Sequence, residues 1–493
     1  MTNYVGISCG FHDAAMTVID DQGRILFAGH SERYSKKKHD AELCVELVQD
    51  ALTYAGDRFE LHYYEKPLLK GIRQLIAGQT LGPFFPRQIV GSKVMDILGD
   101  RGIKTHIHHK SHAAAGFQTS PFEHATVVVI DAIGELDCIS IWDAYYDNKG
   151  YAQYKKLWSK KYPNSIGLFY SAMTQRVGLK PNEEEYILMG MSAYGKPLHG
   201  SKMASQLVYD LFELDFKHNL HIGLPVDFLK SANDVDIAAS AQILCETLIE
   251  KVMFKAKTLG RSKNLVYGGG VALNCLANRL LGKHFHDMWI MPNPGDAGNS
   301  LGAAALGYGK KLQWIDAFLG YEIPGKYPVK KIINQLKKKK MVGVANGRAE
   351  FGPRALGNRS LLADPRGSEI KDKVNEIKRR QKFRPFAPVI LEEHVDQYFI
   401  MPRGWVDSRY MQVIATCRNP DLYPAIVHHD GTSRVQTVPK DGSGIRQLLE
   451  AWYKETGCPM LLNTSLNIRG EPMVNDRSDA DRFEKLYKLK VVS

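Results

Sequence analysis

One pattern constrains the fold of this chain more than any other: a strand, an acidic glycine-containing turn and a hairpin, present twice. Val5-Gly6-Ile7-Ser8 leads into Gly10-Phe11-His12-Asp13, and Ala15 to Ile19 and Ile25 to Ala28 then flank Asp20-Asp21-Gln22-Gly23. The second copy starts at Thr126-Val127-Val128-Val129-Ile130 and turns at Asp131-Ala132-Ile133-Gly134-Glu135. It runs on from Cys138 to Tyr146 into Asp147-Asn148-Lys149-Gly150. Short β-branched runs closed by Asp, Asn and Gly are strand and hairpin signals. Two copies predict a duplicated α/β architecture with two phosphate-facing turns around one cleft.

The segments between and after these copies read as helices and one further strand. Ala41 to Ala55 and Ser165 to Val177 have helical spacing of apolar residues, and residues 234 to 259 form a long amphipathic helix. Leu265-Val266-Tyr267 is a buried strand that runs into Gly268-Gly269-Gly270, with a helix expected from Val271 to Leu281. Strand, triple glycine and helix in that order give either a phosphate or adenosine site at a helix N-terminus or a plain glycine turn.

His108 and His112 stand four residues apart at the start of an alanine-rich helix, so both imidazoles share one face. They are either two ligands of one metal ion or an ordinary polar helix start. Asp296, in Asn293-Pro294-Gly295-Asp296-Ala297-Gly298-Asn299-Ser300 before a small-residue helix from Leu301 to Tyr308, is either a helix cap or the missing third ligand.

At 493 residues the chain exceeds one ordinary core. The helical and strand pattern breaks between Trp314 and Pro328, which puts a domain boundary near residue 328 and divides the chain into 1–328 and 329–493. No apolar run reaches the length of a membrane span. The N-terminus enters a strand at once, so no signal peptide is expected, and the seven scattered cysteines, none in a Cys-x-x-Cys pair, suit reduced thiols in a cytoplasmic protein. The net charge of +12 suits phosphate-bearing partners, nucleotide or nucleic acid.

The second part gathers arginines where glycine lets the backbone approach a ligand. Gly347-Arg348-Ala349-Glu350-Phe351-Gly352-Pro353-Arg354-Ala355-Leu356-Gly357-Asn358-Arg359-Ser360 is followed by Lys378, Arg379, Arg380, Lys382 and Arg384. Thr432-Ser433-Arg434-Val435-Gln436 and Asn463-Thr464-Ser465-Leu466-Asn467 add hydroxyls, amides and another arginine. Such a set fits a polyanion such as ATP.

These stretches, with Met189-Gly190-Met191-Ser192-Ala193-Tyr194-Gly195 and Phe383-Arg384-Pro385-Phe386-Ala387-Pro388, resemble the O-carbamoyltransferases of nodulation and antibiotic tailoring over nearly the whole chain. The resemblance implies a duplicated actin-like (ASKHA, threonylcarbamoyl-transferase-like) first domain. The second is implied to be a YrdC-like α/β domain that makes carbamoyl-adenylate from carbamoyl phosphate and ATP, with Mg2+. An acceptor hydroxyl would then take the carbamoyl group in the first domain. Carried over by residue, Arg354, Arg359, Lys378, Arg384, Arg434, Asn463 and Ser465 would hold ATP and carbamoyl phosphate, with Gly268, Gly269, Gly270 and Asn274 as further nucleotide contacts. His108, His112 and Asp296 would hold iron(II) or a similar divalent ion. His12 would be the general base, with Asp13 and Asp131 flanking the cleft. Ile187 stands where the family carries a lysine.

Family acceptors include sugar hydroxyls and hydroxymethylpyrimidines in DNA. The basic balance, the lysines between 330 and 340 and the aromatic-basic interleaving of Tyr151, Tyr154, Lys155, Lys156, Trp158, Lys160, Lys161 and Tyr162 lead to the expectation of 5-hydroxymethylcytosine DNA as acceptor. The lysine run is otherwise a solvated helix face, and the competing acceptor is a sugar hydroxyl on a small metabolite. A non-catalytic nucleotide-binding regulator is the alternative from another class.

Overall fold

The computed structural model describes residues 2–367, 369–380 and 386–493. The chain divides into two compact units, the first comprising residues 1–28 and 41–314 and the second 29–40 and 315–493. The break falls ahead of residue 328 because the strand Phe318–Ile323 pairs antiparallel with Gly347–Glu350 and so belongs with the second unit.

The first unit contains two five-stranded sheets. One is built from β1 (Asn3–Ser8), β2 (Ala15–Ile19), β3 (Ile25–His30), β4 (Phe59–Tyr63) and β5 (Ile103–Thr105), in the order β3-β2-β1-β4-β5. The other comprises β6 (His124–Ile130), β7 (Asp137–Tyr146), β8 (Ala152–Lys161), β9 (Asn264–Gly268) and β10 (Asp287–Trp289), in the order β10-β9-β6-β7-β8. Each sheet has the same plan. The first strand lies at the centre, antiparallel to its hairpin partner on one side and parallel to a later strand on the other. The outermost strand on that side is parallel too. The duplication legible in the sequence is therefore a duplication of topology.

The helices begin where side chains satisfy their free N–H groups. Helix α1 (His108–Phe117) has no cap of its own; the carboxylate of Glu135 accepts the His108 N–H at 2.8 Å instead. Helix α2 (Ile166–Arg176) is capped by Ser165, and helix α3 (Asp234–Leu259) by Asn233 with Asp234 and Asp236 in its first turn. Helix α4 (Asn299–Tyr308) packs against α1 and β1. The expected helix from Val271 to Leu281 is broken into short turns, Gly270–Leu273, Cys275–Asn278 and Leu281–Lys283. Asn274 restarts the chain there by capping Ala277.

The second unit is an α/β layer on a six-stranded mixed sheet. Its strands are β11 (Met341–Ala345), β12 (Arg359–Ala363), β13 (Ala387–Leu391), β14 (Gln436–Val438), β15 (Met460–Ser465) and β16 (Val491–Val492), in the order β14-β13-β15-β12-β11-β16. Helix α5 (Val329–Lys339) buries Ile332, Ile333 and Leu336 and leaves its lysines outside, so the lysine run is a solvated face. Among the described residues no helix is long and apolar enough to cross a membrane, and the seven cysteines are free.

Candidate metal centre and arginine loop

In the first unit the site residues hang from the carboxyl ends of parallel strands, where α/β sheets open a crevice. His12 and Asp13 follow β1, Glu65 follows β4, and Asp131 follows β6. Helix α1 brings His108 and His112 to the same place, and Asp296 arrives from the turn before α4. His108 Nε2 lies 3.1 Å from Asp131 Oδ2 and 3.2 Å from Asp296 Oδ1; His112 Nε2 lies 3.3 and 3.2 Å from the same two atoms. All four side chains are buried, and one ligand atom from each lies within 4.8 Å of every other. Asp131, expected only to flank the cleft, is thus a fourth candidate ligand.

Two carboxylates in so buried a place demand positive charge. Burial opposes an imidazolium at His108, but the Asp296 charge and the hydrogen bond with Asp131 raise it well above the ordinary histidine value. Burial alone would raise the two carboxyls; the histidines beside them hold both well below the usual carboxylate range. A divalent cation meets the same demand with better geometry. Asp296 Oδ1 is buried without a well-aligned hydrogen-bond partner, although both Nε2 atoms lie 3.2 Å away. Two imidazoles and two carboxylates, with no thiolate, suit iron(II), zinc or manganese rather than a soft ion.

A second layer, absent from the sequence reading, supports the ligands. Glu65 Oε2 lies 3.9 Å from His108 Nδ1, and Lys70 donates to Glu65 Oε1 at 2.8 Å. Glu135 Oε1 accepts the N–H groups of His108 and Lys66. Asp131 Oδ1 accepts those of Ala132 and Gly270 at 2.9 and 3.2 Å. Beside the cluster, His12 Nδ1 lies 2.9 Å from Asp13 Oδ2 and its Nε2 lies 3.6 Å from Asp296 Oδ2. Burial works against a charged His12, but its hydrogen bond with Asp13 and the Asp296 charge push it up to about 9.

The triple glycine does not present a row of free donors. Gly269, at φ 88°, gives its N–H to the Pro294 carbonyl, and Gly270 gives its own to Asp131. A Cβ on Gly269 would lie 2.2 Å from the Ile130 carbonyl oxygen, so the glycine there permits a close approach of strands β9 and β6. Gly268 ends β9. Asn274 exchanges hydrogen bonds with Gln242 and caps a turn. The N–H groups of Gly269 and Gly270 and the side chain of Asn274 are thus engaged within the fold.

In the second unit the arginine motif folds around Glu350. Its Oε1 accepts the N–H groups of Leu356, Asn358 and Arg359 at 2.8, 3.0 and 3.2 Å and closes the loop. Arg359 is fully buried, and its guanidinium donates to the carbonyls of Asn475, Asn346, Gly347, Asn358 and Tyr321. It therefore holds main chain together. Arg348 is likewise bonded to the Leu319 and Gly320 carbonyls. Arg354 is half-buried on the same loop. Asn463 donates to the carbonyls of Ala355 and of the Gln436 side chain, and its Oδ1 is buried without a partner among the described residues. Lys378 reaches the Ser465 carbonyl at 2.7 Å and also bonds Asn467 Oδ1. Among the described residues Arg434 Nε is buried without a hydrogen-bond partner. Arg384 lies outside the described residues.

A two-sheet unit of repeated topology with its polar cluster at strand ends, joined in sequence to an arginine-looped α/β unit, defines an α/β protein. The chain belongs to the carbamoyltransferase family, matching the carbamoyltransferase N-terminus over residues 59–305 and the carbamoyltransferase C-terminus over 333–492. It is 33% identical to the uncharacterized protein sll1178 of Synechocystis sp., covering 98% of this chain and 94% of that one. It is 28% identical to nodulation protein NolNO of Sinorhizobium fredii (95% and 76% covered) and 26% identical to nodulation protein U of Bradyrhizobium diazoefficiens (97% and 96%). Among solved structures it has a likeness to the activator of 2-hydroxyisocaproyl-CoA dehydratase from Clostridium difficile, with TM-score 0.35 and 14% identity over 62% of this chain and 94% of that one. Ile187, in the place of the family lysine, is buried in the helix Glu185–Met191.

Proposed function

We propose that this enzyme carbamoylates a sugar hydroxyl in two half-reactions. In the second unit, carbamoyl phosphate, ATP and one water give carbamoyl-adenylate, phosphate and pyrophosphate. Arg354, Lys378, Arg434, Asn463 and Ser465, with Arg384, hold the anions, and Mg2+ accompanies ATP. In the first unit the acceptor hydroxyl attacks the carbamoyl carbon. The new C–O bond forms, the bond from that carbon to the adenylate phosphate oxygen breaks, and AMP leaves. The arginines offset phosphate charge during activation.

The observation that carries the transfer step is the buried His108, His112, Asp131 and Asp296 cluster with His12 beside it. A divalent cation bound there, iron(II) by family resemblance, supplies positive charge for the adenylate phosphate and the carbamoyl oxygen. Asp13 holds the His12 ring through Nδ1, and a bound cation that offsets the Asp296 charge raising His12 would leave Nε2 free to take the acceptor proton.

A sugar hydroxyl is favoured over DNA because several of the aromatic and basic residues on β8 that pointed to nucleic acid are engaged within the fold. Tyr154 donates to Gln118, Lys156 pairs with Asp137 and Lys160 with Asp215. Lys255 covers the Trp158 ring, and the Tyr162 hydroxyl accepts from Asn219. The nodulation relatives and the sugar acceptors of the family point the same way. The test is incubation with ATP, carbamoyl phosphate and a panel of sugars and hydroxymethylcytosine DNA, followed by mass spectrometry. A carbamoylated sugar is expected. Carbamoylated DNA alone overturns the acceptor, and the absence of carbamoyl-phosphate-dependent pyrophosphate release overturns the adenylate route.

A further inference from the structure

The helix Pro67–Ile76, which follows Glu65 directly, is built inside out. Leu68, Ile72, Leu75 and Ile76 are exposed, while Arg73 is only 8% exposed. Lys66, Lys70 and Arg73 fall at i, i+4 and i+7, so one helix face carries all three. Burial-driven folding puts the apolar face inward and leaves long basic side chains in water. Arg73, the one buried residue of the three, is held inward for something other than packing.

The Lys70 side chain is accounted for: it neutralises Glu65 beside the candidate metal centre. Arg73 is not. Among the described residues its Nε and Nη1 are buried without a hydrogen-bond partner, and its guanidinium lies over the Tyr162 ring, whose centroid is 5.6 Å from its Cζ. Burial lowers this guanidinium from its usual value, and its surroundings only partly offset that. An arginine buried with its fork unmet is costly unless a ligand completes it. A planar fork matches the two oxygens of a carboxylate or phosphate.

We propose that Arg73 is the receptor of an oxyanion subsite beside the metal centre, taking a carboxylate or phosphate oxygen pair of a molecule held in that cleft. The inference rests on reading the cleft as the transfer site and adds that one of its ligands is anionic next to the helix Pro67–Ile76. Two sources share this chemistry: the phosphate of the adenylate donor, and an acidic group on the acceptor, as in a uronic acid. Arg73 makes no bond to the reacting atoms; it sets which molecule is held there.

Calorimetric titration of the full chain with inorganic phosphate, AMP, glucuronate and glucose tests this. Wild type is expected to bind at least one oxyanion through a component that Arg73→Gln weakens tenfold or more and Arg73→Lys weakens less, with glucose unaffected. A loss confined to phosphate and AMP assigns the donor; a loss confined to glucuronate assigns the acceptor. Arg73→Gln should melt at the wild-type temperature or above, since an unmet buried charge is removed. Unchanged oxyanion binding in Arg73→Gln, no oxyanion binding to wild type, or a fall of several degrees in melting temperature overturns the proposal. Carbamoyl-phosphate-dependent pyrophosphate release, measured on the same preparations, separates the two readings. If it is absent while Arg73-dependent binding remains, the route through carbamoyl-adenylate fails and the subsite stands.

Discussion

Replacing Arg359 by methionine should unfold the second unit more easily rather than weaken ATP binding in a folded protein. The guanidinium reaches five carbonyls at 2.9 to 3.1 Å. Three of these contacts fall on Nη1, which has two hydrogens, so the set amounts to about four independent bonds. Each buried carbonyl left without a donor costs at least about 1 kcal/mol. Relief of the arginine's own burial offsets part of that, and its strength is visible in a guanidinium drawn down to about 10 by burial against the opposing Glu350 charge. The net expectation is a loss of about 3–5 kcal/mol, the range for breaking a buried charged network. Arg359→Lys should recover less than half, because a three-donor ammonium cannot span carbonyls spread from Tyr321 to Asn475. Urea unfolding followed by tryptophan fluorescence measures it; Trp452 lies in the affected unit. A loss below about 1 kcal/mol, with pyrophosphate release abolished in the folded variant, would refute the structural assignment and return Arg359 to the ligands.

Three further outcomes follow from the geometry. Asp131→Asn should reduce bound divalent metal as much as Asp296→Asn does, by elemental analysis after dialysis; full metal content in Asp131→Asn would remove it from the ligand set. His12→Gln should slow acceptor carbamoylation by about 10²–10⁴-fold, the usual worth of a general base, while leaving pyrophosphate release intact. Equal loss of both activities would place the defect in folding or activation instead. Glu393, whose carboxylate receives two hydrogen bonds from Arg446, is held down to about 2 by that pairing. Its pairing contributes above the ordinary glutamate value of 4.5 and is lost as pH falls toward 2, so the stability gap to Glu393→Gln should close in that window. The gain is small because Glu393 is partly solvated, and a gap that persists at about pH 2 would contradict it.

Local pattern carried the element types well and the partners poorly. The alternation and turn residues around Val5 to Ala28 and Thr126 to Gly150 specify hairpins because side-chain direction and turn chemistry are local properties. Asp131 as a ligand was not legible. Its place beside His108 depends on the fold of the whole first unit, which also sets Asp296 there from the far side of β9. Glu65 and Asn299, which lies 2.9 Å from His112 Nε2, escaped for the same reason. The carbonyl ring around Arg359 was not legible because an arginine in a glycine-rich loop has one signature whether it meets phosphate or carbonyls. The aromatic and lysine side chains of β8 misled because spacing does not tell a nucleic-acid-facing strand from one whose rings and charges meet neighbours in the same unit.

The frame around the candidate metal centre also bears on how its chemistry can change. A Cβ on Gly6 would sit 1.8 Å from the Ser300 carbonyl oxygen, and one on Gly302 would sit 2.0 Å from that of Ser111. Strand β1, helix α4 and the ligand-bearing helix α1 are thus in main-chain contact, with no side-chain cushion to repack. The distance between the histidine pair and Asp296 is fixed by backbone, and neighbouring substitutions cannot tune it by small steps. Variation in ion preference is therefore open through exchange of donor atoms, His for Asp or Asp for Asn. Variation through gradual widening of the cage is closed, so selection for a new metal should yield replacements at 108, 112, 131 and 296 and leave the glycines untouched.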